Sequence, residues 1–233
     1  MTPPAAGTQV QSVDLQILPW YNALGPREVA VHRAAATALS KGRGTWLIRE
    51  GQPAEAVFAI GDGLAMIQKV NSAGDRQVLG FLLAGDMFGM AQAGRYTHSV
   101  ASVTHTHLVR FDRAEFDELC AASRPMQRAV LQKASNELAA AQDHLVLLGR
   151  KSASERLATF LAWSADRPPL GDSQGRIWLP MRRSDIANYL GLTLETLSRL
   201  FADFVDRGYI VRESVRRVEI RDRDALDALA EGV

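Results

Sequence analysis

Glycines at 51, 61, 63, 74 and 85 cut the stretch from Gly42 to Phe111 into short runs of β-forming residues. The runs are 46–48, 57–60, 64–70 and 78–83, followed by a longer one at 99–111. Short strands at such spacing, with turn residues between them, pack by closing on themselves as a β-roll or barrel. Ahead of them, residues 18–40 read as helical, with Trp20, Leu24, Val29 and Ala36 among the apolar positions. The opening "MTPPAAGTQVQSVD" has no basic start followed by an apolar stretch, so it is not a secretion signal. No apolar run reaches membrane-spanning length. The expectation is a cytoplasmic protein without a membrane partner, whose residues 1–17 are flexible.

Past Arg113 the pattern turns helical. Leu131, Ala134, Leu138, Ala141, Leu145 and Leu148 recur at alternating steps of three and four, a heptad seam. Packing against a sheet calls for a broader apolar stripe than this one. With Gln132, Lys133, Glu137 and Gln142 beside it, the seam predicts a two-helix coiled coil and a homodimer. "GRKS" at 149–152 breaks the helix, and Ser152 with Glu155 has capping-box spacing for the next one. The expected organisation is α+β: a β-roll over 18–122, a dimerisation helix over 123–149 and a separate domain over 150–233.

Within that last domain, "RSDIANYLGLTLETLSRLFADF" (183–204) has two short apolar-periodic segments flanking Gly191. Ser184 is the expected cap of a first helix, 185–190, and Thr193 the cap of a second, 194–206. Gly191 supplies a turn, because glycine reaches positive φ easily. Ala187, Leu190, Leu192, Leu197 and Leu200 would form the core between them. Residues 209–222 then read as a hairpin, which makes a winged helix-turn-helix. Leu194, Glu195, Ser198 and Arg199 fall outside that core, at the end of the second helix that enters the major groove in this motif. Arginine can take guanine N7 and O6 together, and glutamate can accept from a cytosine amino group.

Charge supports a polyanionic partner only locally. Formal net charge is +1, and none of the four lysines follows residue 151. From Arg176 to Arg223 there are ten arginines against seven acids. Arg182, Arg183, Thr193, Thr196, Arg216 and Arg217 are the expected contacts to the DNA backbone. The alternative for such a charge pattern is a solvated surface laced with helix ion pairs.

These features together resemble the cyclic-AMP-receptor/FNR (Crp/Fnr) family of transcription regulators, over about residues 18–230. The helix pair "DIANYLGLTLETLSR" is similar to the FixK-like branch. The resemblance implies a cyclic-nucleotide-binding-type β-roll (a double-stranded β-helix), a homodimer, double-stranded DNA and RNA polymerase as partners, and an activator. It also implies that Glu195, Ser198 and Arg199 read a TTGAT-type half-site in a TTGAT-N4-ATCAA-like palindrome.

The sensor half departs from the family's patterns. An FNR-type iron–sulfur cluster needs four thiolates, and Cys120 is the single cysteine. The cyclic-AMP pocket uses Gly-Glu for the ribose and Arg-Ser or Arg-Thr for the phosphate. Here Gly85 and Asp86 match loosely, while Arg95 falls one residue from the expected place and Thr97 follows it. On a strand, one residue reverses the side chain's face. The expectation is therefore no cofactor and no cyclic-AMP requirement, with haem left open. An effector-gated member of the family, responding to a cyclic nucleotide, haem or nitric oxide, or redox state at Cys120, is the alternative. His98, His105 and His107 lie in one segment, and the last two would share a strand face. A cupin-like metalloenzyme would need more ligands than this pair. No nucleophile–base constellation appears, so an enzyme is not expected.

Overall fold

The computed structural model describes residues 15–18, 20–70, 74, 76–91 and 94–232. The chain separates into two compact units. One comprises Met1–Lys69 with Gly80–Asn136, the other Val70–Leu79 with Glu137–Val233.

The first unit opens with short 3-10 turns at Leu15–Ile17 and Tyr21–Ala23. Helix α1, Pro26–Ala35, starts at a proline, and the Gly25 N–H donates to Glu28 Oε2 at 2.8 Å. The helix expected over 18–40 is thus shorter, because Ala36–Lys41 is strand β1. Its alanine-rich sequence fits either conformation. What decides is a six-residue antiparallel register with β8, Thr106–Asp112, from Ala36↔Phe111 to Lys41↔Thr106. The segment 1–17 expected to be flexible lies outside the described residues up to 14, but Leu15 is buried.

The roll consists of two four-stranded sheets. One has the order β1-β8-β3-β6, with β3 at Ala56–Asp62 and β6 at Met87–Phe88. The other is β2-β7-β4-β5, made of Trp46–Ile48, Ser99–Ser102, Ala65–Val70 and Arg76–Leu82. The single strand expected over 99–111 is two, β7 and β8. Between them, the N–H groups of Val103 and Thr104 donate to Leu64 O at 2.7 and 3.2 Å. The chain crosses Gly63 there so closely that a Cβ at Gly63 would lie 2.4 Å from His105 O.

Strand β3 shows why this region lacks a simple amphipathic pattern. Phe58 and Ile60 face a core with Ile48, Leu82, Tyr96 and Val100, where Phe58 stacks on Phe88 at 5.1 Å. Val57 and Ala59 face the other way, toward Leu15, Trp20, Phe111, Phe116 and Met126. Both faces of the strand are buried, so period two separates two cores rather than core from solvent. Helix α2, Arg113–Ala122, supplies Phe116 and Leu119, and α3, Arg124–Arg150, supplies Met126.

In the second unit, α4 (Ala153–Ala165) begins at the anticipated capping box. The Glu155 N–H donates to Ser152 Oγ at 3.3 Å and the Ser152 N–H to Glu155 Oε2 at 3.2 Å. Strand β9 (Arg176–Trp178), helices α5 (Arg183–Tyr189) and α6 (Leu194–Asp206), and the hairpin β10–β11 (Ile210–Arg212, Arg217–Ile220) follow. The sheet order is β10-β11-β9. A last helix, α7 (Arg223–Glu231), was not legible in the sequence. Asp222 caps it, accepting the Ala225 N–H at 2.9 Å.

Candidate nucleic-acid interface

Helix α6 rests on Leu197, Phe201 and Phe204, all buried, with Ile186, Ala187 and Leu190 of the α5 segment beneath them. Leu192 and Leu200, expected in that core, are only half-buried, while Ile186, Phe201 and Phe204 complete it. Gly191 turns the chain between the helices at φ +63°. Arg156, which pattern reading passed over, ties this corner together. It donates to Leu190 O at 3.1 Å, Leu148 O at 2.7 Å and Lys151 O at 2.9 Å.

The start of α5 differs from expectation. Ser184 is helical, and the cap position belongs to Arg182, whose N–H donates to Asp185 Oδ2 at 3.0 Å. Asp185 is buried, and its other oxygen accepts from Arg76 Nη2 at 2.5 Å. Asn188 continues this contact with its side-chain amide, donating to Arg76 O and accepting the Val78 N–H. Nothing in the local sequence of α5 pointed to residues 76–78.

Thr193 caps α6 as expected, accepting the Thr196 N–H at 3.1 Å, and its hydroxyl donates to Thr196 Oγ1 at 2.9 Å. Leu194, Glu195, Ser198 and Arg199 then lie exposed along one edge of the helix. Ser198 Oγ donates to Leu194 O at 2.8 Å, which leaves its oxygen lone pairs for an outside donor. Glu195 and Arg199, although at i,i+4 spacing, form no salt bridge with each other.

The arginine surplus divides in space. Arg176, Arg207, Arg221 and Arg223 pair with Asp172, Asp203, Glu219, and Asp166 with Asp227. Arg182, Arg199, Arg212, Arg216 and Arg217 make no salt bridge among the described residues and are exposed. They come from the start of α5, from α6 and from the wing. Arg183 stands apart, half-buried with its guanidinium carbon 3.7 Å from the Phe201 ring centroid.

The seam on α3 is bare on the single chain. Leu131, Leu138 and Leu145 are 68%, 62% and 70% exposed. Ala134 and Ala141 are exposed as well, and Leu148 is half-buried near Gly191.

The residues of the expected effector pocket have other partners. Gly85 turns at φ +86°. Asp86 accepts from Lys133 Nζ at 2.7 Å and from the Leu83 N–H at 2.9 Å. Arg95 donates to Gly51 O at 2.6 Å, and Thr97 is exposed. Between them Tyr96 is buried in the roll, where its hydroxyl donates to Ala56 O at 2.9 Å. His105 lies in the turn before β8 rather than on the strand, its ring 4.9 Å from that of His107 and its Nε2 3.0 Å from Ser40 Oγ. Among the described residues no group of three or more His, Cys, Asp or Glu is arranged to hold a metal. Cys120 is half-buried on α2, and burial pushes its thiol up, with Asp117 adding to the shift. No helix of the described residues is long and apolar enough to cross a membrane.

A β-roll followed in sequence by a winged helix-turn-helix whose Arg182, Arg199, Arg212, Arg216 and Arg217 are exposed and form no salt bridge among the described residues defines a DNA-binding transcription regulator. Residues 155–229 match the Crp-like helix-turn-helix domain, and residues 39–123 match the cyclic nucleotide-binding domain. The transcriptional activatory protein AadR of Rhodopseudomonas palustris is 35% identical over 210 residues, covering 89% of this chain and 87% of its own. The nitrogen fixation regulation protein FixK of Azorhizobium caulinodans is 36% identical over 87% of this chain and 83% of its own. The structure of FixK2 from Bradyrhizobium japonicum superposes with a TM-score of 0.78 at 34% identity, covering 83% of this chain and 96% of that one. The chain belongs to the Crp/Fnr family of transcription regulators and is FixK-like within it.

Proposed function

We propose that this regulator acts as a cytoplasmic homodimer that places the start of each α6 in the major groove of a palindromic TTGAT-N4-ATCAA-like site. The observation that carries this reading is the exposed set Glu195, Ser198 and Arg199 at the capped start of α6, in which Glu195 and Arg199 form no salt bridge with each other. Glutamate and arginine that ignore each other across one turn are free to pair with base edges instead. Arg182, Arg216 and Arg217, with the Thr193–Thr196 corner, meet the phosphates on either side. The bare α3 seam supports pairing with a second copy. Three exposed leucines at heptad positions leave an apolar stripe that a symmetry mate would cover.

The protein acts as an activator through contact with RNA polymerase and needs neither cyclic AMP nor another cofactor. Asp86, the nearest match to the ribose-binding carboxylate, is engaged by Lys133, and Arg95 is engaged by Gly51 O. The test is operator binding by purified apo protein, with and without cyclic AMP, prepared with and without oxygen. Equal binding in all four conditions is expected. Binding that appears only with the nucleotide would overturn effector independence, and a brown, oxygen-labile preparation would overturn the thiolate count.

A further inference from the structure

By charge and position Arg183 belongs with the phosphate contacts, but its surroundings assign it other work. Its guanidinium carbon stands 3.7 Å from the centroid of Phe201, a ring 2% exposed on the buried face of α6. That is well inside the distance at which a cation and an aromatic face attract. Its Nη2 donates to Val215 O at 3.2 Å, in the turn that joins the two strands of the wing. Its Nη1 is buried and has no hydrogen-bond partner. Burial, with repulsion from Arg212 second, lowers its pKa to about 10. Arg182 is exposed, whereas Arg183 is half-buried with its Nη1 shut off from solvent.

The wing needs such a tie. Residues 211–217 are all exposed, so no side chain of the tip is anchored in the core. The hydrogen bonds of Glu213 and Ser214 N–H to Arg217 O, and of Arg216 N–H to Ser214 Oγ, shape the turn but do not orient it on α6. We propose that Arg183 is a positioning residue that joins the wing tip to the recognition helix, so that Arg216 and Arg217 meet the same DNA that Glu195 and Arg199 read, and that it makes no phosphate contact itself. This rests on the reading of α6 and the wing as the DNA-binding surface.

The two roles separate in a salt titration. A phosphate contact contributes about one unit to the slope of log K against log salt, whatever else it does. A tie acting through the wing moves affinity and slope only by way of the wing's own phosphate contacts, so its loss overlaps with loss of the wing contact in both. Operator binding would be followed by anisotropy across salt for wild type, Arg183→Met, Arg183→Lys, Arg216→Ala and the Arg183→Met/Arg216→Ala double variant. Arg183→Met should bind about tenfold more weakly, with a slope no flatter than that of Arg216→Ala. Lysine should not restore affinity, since it cannot stack and donate in the same plane. The double variant should bind within about twofold of Arg216→Ala.

Affinity and slope restored in Arg183→Lys, or a double variant whose losses multiply and whose slope falls about one unit below that of Arg216→Ala, would overturn the proposal. So would unchanged affinity in Arg183→Met. If that variant does not fold, Arg183→Lys decides alone: weaker binding supports the tie, and full affinity refutes it. If wild type itself binds no operator, the DNA-binding reading is what fails.

Discussion

Lys133 Nζ lies 2.7 Å from Asp86 Oδ1, and the other oxygen of that carboxylate accepts the Leu83 N–H at 2.9 Å. The ion pair joins the loop before β6 to the first half of α3, both within the first compact unit. Lys133 is mostly buried, so removing Asp86 would take a charge-assisted hydrogen bond from its ammonium. Asp86→Ala should lower stability by roughly 1.5–3 kcal/mol, measured by urea unfolding. A nucleotide bound at 100 times its Kd would add about 2.7 kcal/mol. Wild type should instead show no shift of its unfolding midpoint in millimolar cyclic AMP.

Leu138 stands at the middle of the α3 seam, 62% exposed on the single chain. A glutamate there would face its own symmetry mate across an apolar seam, which costs several kcal/mol. Leu138→Glu should sediment as a monomer and lose operator binding together. A variant that stays dimeric would place the interface elsewhere.

Arg199 and Arg216 should fail in different ways. Arg199→Ala should cost roughly 1–3 kcal/mol per half-site and relax preference at one base pair. Arg216→Ala should weaken all sequences alike and flatten the salt dependence by about one unit. Competition on TTGAT-N4-ATCAA and its single-position variants checks both. If Arg199→Ala kept full preference while Arg216→Ala lost it, the wing would be the base reader.

His144, on α3, has both ring nitrogens buried without hydrogen-bond partners and lies 4.4 Å from the Tyr189 ring. Burial lowers its pKa below 6.5, and His98 shifts the same way, by burial and then by Lys69. The folded state therefore holds a neutral imidazole that the unfolded chain protonates. Stability is full above 6.5 and is lost as pH falls from there toward the folded value. Unfolding midpoints should drop as pH falls below about 6.5. His144→Phe, which keeps the ring contact, should make that decline shallower.

Much of this molecule is legible locally because its causes are local. Gly191, Thr193 and the Ser152–Glu155 box announce turns and caps through their own side-chain chemistry, and α6 spans the residues its pattern indicated. The seam could be read as well, because a heptad is a property of one helix. Other features depend on partners far away in sequence. Strand β1 looks helical in the sequence because "ATALSK" has no strong preference until β8 lies beside it. The cap of α5 was placed at Ser184 because nothing nearby says that Asp185 would be buried and paired with Arg76, 109 residues earlier. Most telling are the arginines, a single surplus in the sequence. Only the fold decides that Arg223 is spent on Asp166 and Asp227, that Arg183 is spent on Phe201 and the wing, and that Arg182, Arg199, Arg212, Arg216 and Arg217 stay exposed without a salt bridge among the described residues. A side chain's charge is set by its residue type, but what neutralises that charge is a matter of distance, and distance is decided by tertiary packing.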